Sequence, residues 1–265
     1  FSEDPEPNAY LCFIEAGRAE YNAPLYQRLD GIYFNSAFDY NAQNSNIKRT
    51  YDMSTGVIFQ SNFNKELTFN YFGPHSNYAV IHNGADINLI NLVEDIKIDK
   101  YENIWSCAAT WRPHKRLNEN IRYFLEHSGP NDGLIVAGPV PERTKYDRVH
   151  YVGELPTEKL FSLYKASKYF LHLAWLDHCP NVVVDAMACG CIVVCSSAGG
   201  TKEIAGDNAI IIEENDWDYE PVELYKPPTL KFENKLENVW HRNHEYDMLS
   251  VSKKYYNFIN GEANG

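Results

Sequence analysis

From residue 104 the chain alternates short apolar runs with amphipathic stretches. The runs at 104–110, 133–137, 149–152, 169–174, 192–195 and 209–212 predict strands, and 117–127, 157–166, 180–189 and 201–205 predict helices. Apolar strands separated by helices imply a parallel sheet covered on both faces, so residues 95–215 are expected to form a doubly wound α/β domain. The first 90 residues are less regular. Strands are expected at 56–60 and 79–82 around a helix at 63–72, which makes a partial α/β layer. His82-Asn83-Gly84-Ala85-Asp86 reads as a turn opening a polar connection that runs to Asn103. After an acidic, proline-containing loop, Leu236, Val239, Tyr246, Leu249 and Tyr256 keep helical spacing, predicting a closing helical segment. The expected division is 1–90, a shortened acceptor-side domain; 91–235, a Rossmann-like domain; and 236–265, the helical segment.

Composition narrows the partners. The 265 residues are 44% hydrophobic and 23% charged, the balance of a folded globular chain. A net charge of -12 argues against a nucleic-acid footprint, yet a locally basic pocket can still hold a small phosphorylated ligand. The apolar stretch 178–201 is broken by Pro180, Asn181, Gly190, Gly199 and Gly200, so no transmembrane segment is expected. Four of the six cysteines lie in that same stretch, and no Cys-x2-Cys pair is present. Buried thiols in a reducing setting are expected, with no metal site. The acidic start Phe1-Ser2-Glu3-Asp4 lacks the pattern of a signal peptide, and a cytoplasmic location, or one peripheral to a membrane, is expected.

In an open parallel sheet, ligands gather beyond the carboxyl ends of the strands. Three loops there carry polar chemistry. Trp111-Arg112-Pro113-His114-Lys115-Arg116 concentrates cations in an acidic chain, which suits a phosphate, although a solvated basic turn has the same composition. The segment from Asp177 through His178, Cys179, Pro180 and Asn181 to Asp185 puts two carboxylates in apolar surroundings, where sugar or ribose hydroxyls would satisfy them. Helix capping by Asp177 and a salt bridge at Asp185 are the alternatives. Gly199-Gly200-Thr201 opens a helix with a glycine pair that would let backbone N–H groups approach an anion.

Together these loops resemble a known family. Asp177-x7-Asp185, Ala186-Met187-Ala188-Cys189-Gly190, a strand, Gly199-Gly200 and Glu203-Ile204 resemble the Glu-x7-Glu region of retaining glycosyltransferases of the GT-B fold, family four. Arg112 with Lys115 resembles that family's phosphate-binding pair, Asn83-Gly84-Ala85-Asp86 its domain connection, and Val152-Gly153-Glu154-Leu155 its nucleobase-contacting strand end. The resemblance implies a GT-B-like molecule in which Arg112 and Lys115 bind the diphosphate and Asp185 holds the ribose. Asp177 would orient the donor sugar, with backbone groups of His178, Cys179, Pro180 and Asn181. Gly153 and Leu155 would meet the base, and Gly199, Gly200 and Thr201 would complete the donor site. It further implies hexosyl transfer from a UDP- or GDP-linked sugar with retention, without metal or cofactor, to a glycan, lipid-linked or protein acceptor. A non-catalytic nucleotide-sugar-binding module and a sugar epimerase of the same fold are the alternatives. The chain departs from the pattern in having aspartates for both glutamates, a tighter Arg-to-Lys spacing and a shortened first domain. In that domain Arg28-Leu29-Asp30-Gly31 and Tyr33 read as an ordinary turn, with an acceptor cleft as the alternative.

Overall fold

The computed structural model describes residues 7–140, 142–232 and 246–261. Its first sheet contains β1 (Tyr10–Phe13), β2 (Leu25–Leu29), β3 (Gly56–Phe59) and β4 (Tyr78–Val80), parallel and in chain order. Helices α1 (Tyr40–Met53) and α2 (Asn62–Phe72) connect its later strands. β1, β2 and α1 were not expected from the hydrophobic pattern. The reason is visible in β2, where Gln27 is fully buried and its Nε2 donates to the carbonyls of Ile14 at 2.6 Å and Ile47 at 3.2 Å. In α1 the inward face carries Asn44 and Thr50 beside Ile47 and Tyr51. Asn44 exchanges hydrogen bonds with the Tyr33 backbone at 2.8 and 2.7 Å, so its burial is compensated.

The second sheet contains β5 (Ile104–Ala108), β6 (Gly133–Ala137), β7 (Val149–Gly153), β8 (Tyr169–His172), β9 (Ile192–Ser196) and β10 (Ile210–Ile212). Its order is β10-β9-β8-β5-β6-β7, all parallel. The chain winds outward from β5 in one direction and from β8 in the other, so a topological switch point lies between these two neighbours. Helices α4 (Leu117–His127), α5 (Thr157–Ala166), α6 (Asn181–Ala188) and α7 (Thr201–Ala205) cover the sheet. Every residue of β5, β6, β8 and β9 is buried, which explains their uninterrupted apolar reading. Strands expected to reach Thr110 and Ala174 end at Ala108 and His172, and the residues beyond turn into the ligand-edge loops.

Two elements tie the sheets together. The stretch expected to be a plain polar connection contains α3 (Ile87–Leu92), whose first turn is capped by Asp86 accepting from the Leu89 N–H at 2.9 Å. Helix α8 (Met248–Asn260) returns to the first domain, where Tyr26 donates to the Ile259 carbonyl at 3.0 Å and Arg28 Nε to Tyr255 Oη at 3.0 Å. Ala85 pairs with the residues leading into α8, and a side chain at Gly84 would fall 2.7 Å from Met248 Cα. Leu236 and Val239 of the expected closing segment lie outside the described residues.

Candidate active site

At the switch point, the loops leaving β5 and β8 enclose a cavity of about 290 Å³. It is lined by Arg112, Lys115, His172, Pro180 and Asn181, with Ala108 to Thr110 and Val182 completing the wall. Pro113 explains how the basic residues separate. It holds Arg112 extended and begins a single 3-10 turn, Pro113–Lys115, after which Arg116 adopts the left-handed conformation. Arg112 is exposed and has no ion-pair partner among the described residues. Lys115 forms an ion pair with Asp177 Oδ2. Arg116 turns inward and meets Glu214 with two guanidinium N–H bonds of 2.7 Å, the arginine side chain being 1% exposed. His114 is buried against Tyr225. Of the residues crowded into this loop, Arg112 and Lys115 therefore face the cavity, and Arg116 and His114 serve the fold.

Asp177 is gripped from several sides. Its Oδ2 also accepts from His172 Nε2 at 2.9 Å, and its Oδ1 from the His178 backbone N–H at 3.0 Å. Burial pushes the carboxyl upward, but the Lys115 charge and the His172 bond outweigh it and hold Asp177 well below the usual carboxylate range. Burial also lowers the His172 imidazole despite Asp177 beside it, so at neutral pH a neutral ring donates to a carboxylate. His172 was missed in the sequence because it ends an apolar run. Its signal was a lone ionisable group at a strand's carboxyl end.

Asp185 does not share this cavity. It lies on α6 and lines a larger one of about 750 Å³ between the domains, with Arg28, Asn83, Asp86, Thr157, Phe161 and Tyr255 among the other walls. Asn181 lines both cavities. Burial, without a cation to offset it, pushes Asp185 up to about 7. Arg28 belongs here and not to an ordinary turn: it pairs with Asp30 and donates to Asn83 Oδ1 at 2.9 Å. Asn83 in turn donates to the Cys179 carbonyl at 3.1 Å and to Asn181 Oδ1 at 2.5 Å, fastening the first domain to the start of α6. Tyr33 is 49% exposed.

The remaining sequence-derived residues divide. Pro180 occupies the cap position rather than the first helical turn of α6, and helix geometry leaves the N–H groups of Asn181 and Val182 without intrahelical acceptors at the cavity wall. Cys179 is buried, with its thiol pushed up to about 12 by desolvation, and contributes its carbonyl. His178 packs its ring on Gly31, where a side chain would come within 2.6 Å of Nε2, and burial lowers the imidazole to about 4. In the glycine pair one N–H is already engaged within the chain. The Gly200 N–H donates to the Asp177 carbonyl at 2.7 Å, and a Cβ there would sit 1.9 Å from the His178 carbonyl oxygen. Close backbone approach is therefore what Gly199 and Gly200 provide. Thr201 is fully buried behind them. Gly153 and Leu155 stand at the carboxyl end of β7, beyond β6 from the switch point.

Glu203 performs a task that its motif did not indicate. Its carboxylate accepts from the Asn62 N–H at 2.9 and 2.8 Å and lies 2.7 Å from His82 Nε2, so a helix of the second domain holds the N-terminus of α2 in the first. Ser61 adds a bond to the His178 carbonyl at 2.7 Å.

Two parallel α/β sheets with a polar crevice at the switch point put a cavity where open α/β sheets gather ligands. Residues 91–219 match the family of Glycosyl transferases group 1. An O-antigen chain mannosyltransferase B from Escherichia coli is 32% identical over 139 residues, 46% of this chain and 36% of that protein. A component of the phosphatidylinositol N-acetylglucosaminyltransferase of Arabidopsis thaliana is 24% identical over 39% of this chain and 23% of its own length. The matched region thus spans about a third or less of these curated relatives. Among solved structures, Anabaena HepE in complex with UDP-glucose superposes with a TM-score of 0.66 at 15% identity, covering 91% of this chain and 73% of that one. A sucrose-phosphate synthase from Thermosynechococcus elongatus gives 0.58 at 17% identity, over 74% and 56%. The fold is GT-B-like, as these neighbours have it. Among the described residues no helix is long and apolar enough to cross a membrane.

Proposed function

We propose that the protein transfers a hexosyl group from a UDP- or GDP-linked sugar to an acceptor hydroxyl, with retention at the anomeric carbon. The observation that carries this reading is the cavity between β5 and β8, where Arg112, with no ion-pair partner among the described residues, shares one wall with the Asp177-bound Lys115. A diphosphate there would receive charge-assisted bonds from both cations and from the free N–H groups at the start of α6. As the bond from the anomeric carbon to the phosphate oxygen breaks, its electron pair leaves with the diphosphate, and Arg112 and Lys115 stabilise the charge that develops. The acceptor oxygen forms the new bond on the face that the diphosphate leaves, and its proton passes to the departing phosphate oxygen. Retention follows from that shared face. Two protein cations supply the positive charge, so no metal is assigned a step.

The carboxylates orient the ligand. Asp177, ionised and held by His172, would accept from hydroxyls of the transferred sugar once Lys115 turns toward phosphate. Asp185 would accept from the ribose, with Asn181, which lines both cavities, beside the same ligand. The relatives named as mannosyl- and N-acetylglucosaminyltransferases, and the neighbour solved with UDP-glucose, support a nucleotide-sugar donor. The test is consumption of UDP- and GDP-hexoses in the presence of simple glycoside acceptors, with the product's anomeric configuration read by NMR. Retained configuration and loss of turnover in Asp177→Asn are expected. An inverted product, or full turnover in that variant, overturns the reading.

A further inference from the structure

Donor binding at the switch point must disturb the Asp177 carboxylate. Its Oδ2 is shared by two residues that line the cavity of about 290 Å³, Lys115 through an ion pair and His172 through an Nε2–H bond of 2.9 Å. Its Oδ1 accepts from the His178 backbone N–H. The side chains of His172 and Asp177 are 4% and 14% exposed, so water screens neither of them well.

The site's own charges are those of Arg112, Lys115 and Asp177, two cations against one carboxylate. The diphosphate of a nucleotide sugar brings two negative charges, and in the transferase reading Lys115 turns from Asp177 to meet it. The balance then changes sign, and a buried carboxylate loses its cation, which is costly where the dielectric is low. A group in contact with Asp177 can restore the balance by taking a proton. With Lys115 in place His172 is neutral, because burial and the Lys115 charge both lower it against the pull of Asp177. Moving Lys115 away removes one of the lowering influences, keeps the raising one and adds the phosphate charges to it.

Other candidates for that proton are few among the described residues. His114 on the basic turn and His178 on the Asp177 loop are each lowered to about 4, chiefly by burial. Across the sheet His172 stands in register with Cys195 of β9, whose thiol is pushed up to about 12 and stays protonated. The α6 wall contributes Pro180, Asn181 and Val182, which do not titrate. Asp185, at about 7, lines the other cavity, and a ribose hydroxyl donating to it would favour its ionised form and release a proton. We propose that His172 is a positioning residue: it takes a proton from solvent onto Nδ1 as the donor diphosphate draws Lys115 away, so that Asp177 keeps a cationic hydrogen-bond partner while it receives the sugar hydroxyls. The proposal rests on the transferase reading and adds to it that donor binding is coupled to proton uptake.

Calorimetric titration of UDP-glucose and GDP-mannose at pH 6.5, in two buffers of different ionisation heat, counts the protons taken up per donor bound. The diphosphate of these diesters does not titrate there, whereas the terminal phosphate of a free nucleotide does. In His172→Gln the side-chain amide can still donate to Asp177 but cannot take a proton. The wild type is expected to take up about half a proton more than that variant, whatever Asp185 contributes to both, and to lose about three-fold more donor affinity between pH 6.5 and pH 8. The imidazole resonances of His172 read the same event without a variant, and on adding donor they are expected to move to the protonated form. Donor binding with equal uptake in both proteins would put the proton on Asp177 or elsewhere, and this result, or a His172 ring that stays neutral with donor bound, overturns the proposal alone. No binding of either nucleotide sugar to the wild type would overturn the donor reading and the proposal with it.

Discussion

Asp177 and Asp185 show how one residue type acquires two characters from its surroundings. Asp177 has a cation and an imidazole N–H on one oxygen, so it stays ionised. Asp185 has neither, and burial raises it from 3.8 to about 7. A carboxyl raised on folding favours the folded state fully below about 3.8 and loses that advantage as pH climbs through about 7. Without ligand, Asp185→Asn is therefore expected to match the wild type near pH 4 and to exceed it at pH 8 by about 2 kcal/mol in urea unfolding. A stability difference that does not grow with pH would place Asp185 in a more polar setting than described. Asp177→Asn keeps the bond to His172 but leaves Lys115 with weaker compensation. It is expected to lower turnover by about a hundred-fold or more while donor affinity changes little. Steady-state kinetics with the donor saturating separates the two effects. The sequence revealed both aspartates and both cations, because charge in an apolar or acidic setting stands out. It did not reveal that Arg116 is a buried structural partner of Glu214, since that partner lies 98 positions away.

Elements were legible where burial made the pattern simple. Helices α4, α5 and α7 and strand β6 have the bounds that the apolar spacing predicts. In the first domain buried amides take positions that apolar residues would otherwise mark, Gln27 in β2 and Asn44 in α1, and there the periodicity is hidden. The glycine pair before α7 was legible as a functional feature but not in its physical use. Gly200→Ala puts a methyl group against the His178 carbonyl and is expected to destabilise the fold by about 2 kcal/mol, measured as a lowered urea midpoint. Unchanged stability would mean that the His178 carbonyl does not lie against Gly200.

At the scale of the whole molecule, the domains meet through Ser61, Asn83, His178 and Glu203. Glu203 holds both Asn62 and His82. Burial works to raise its carboxyl, and the His82 and Asn62 bonds outweigh it and lower it. Glu203→Gln is expected to weaken the joint, seen as faster amide exchange at the start of α2 with the second sheet's core unchanged. No single stretch of sequence announces this contact, since its partners lie 121 and 141 positions apart. The parallel, helix-covered character of the second sheet was implicit in the alternation of elements, and from it came the place to look for ligand chemistry; the order of its strands was not.

The central claim is that Arg112 and Lys115 together receive a nucleotide diphosphate at the junction of β5 and β8. Isothermal titration of UDP and of GDP into the wild type and into Arg112→Ala tests it most directly. Saturable one-to-one binding of at least one nucleotide, weakened about ten-fold or more in the variant, is the expected result. Equal affinity in both proteins, or no binding of either nucleotide to the wild type, would contradict it.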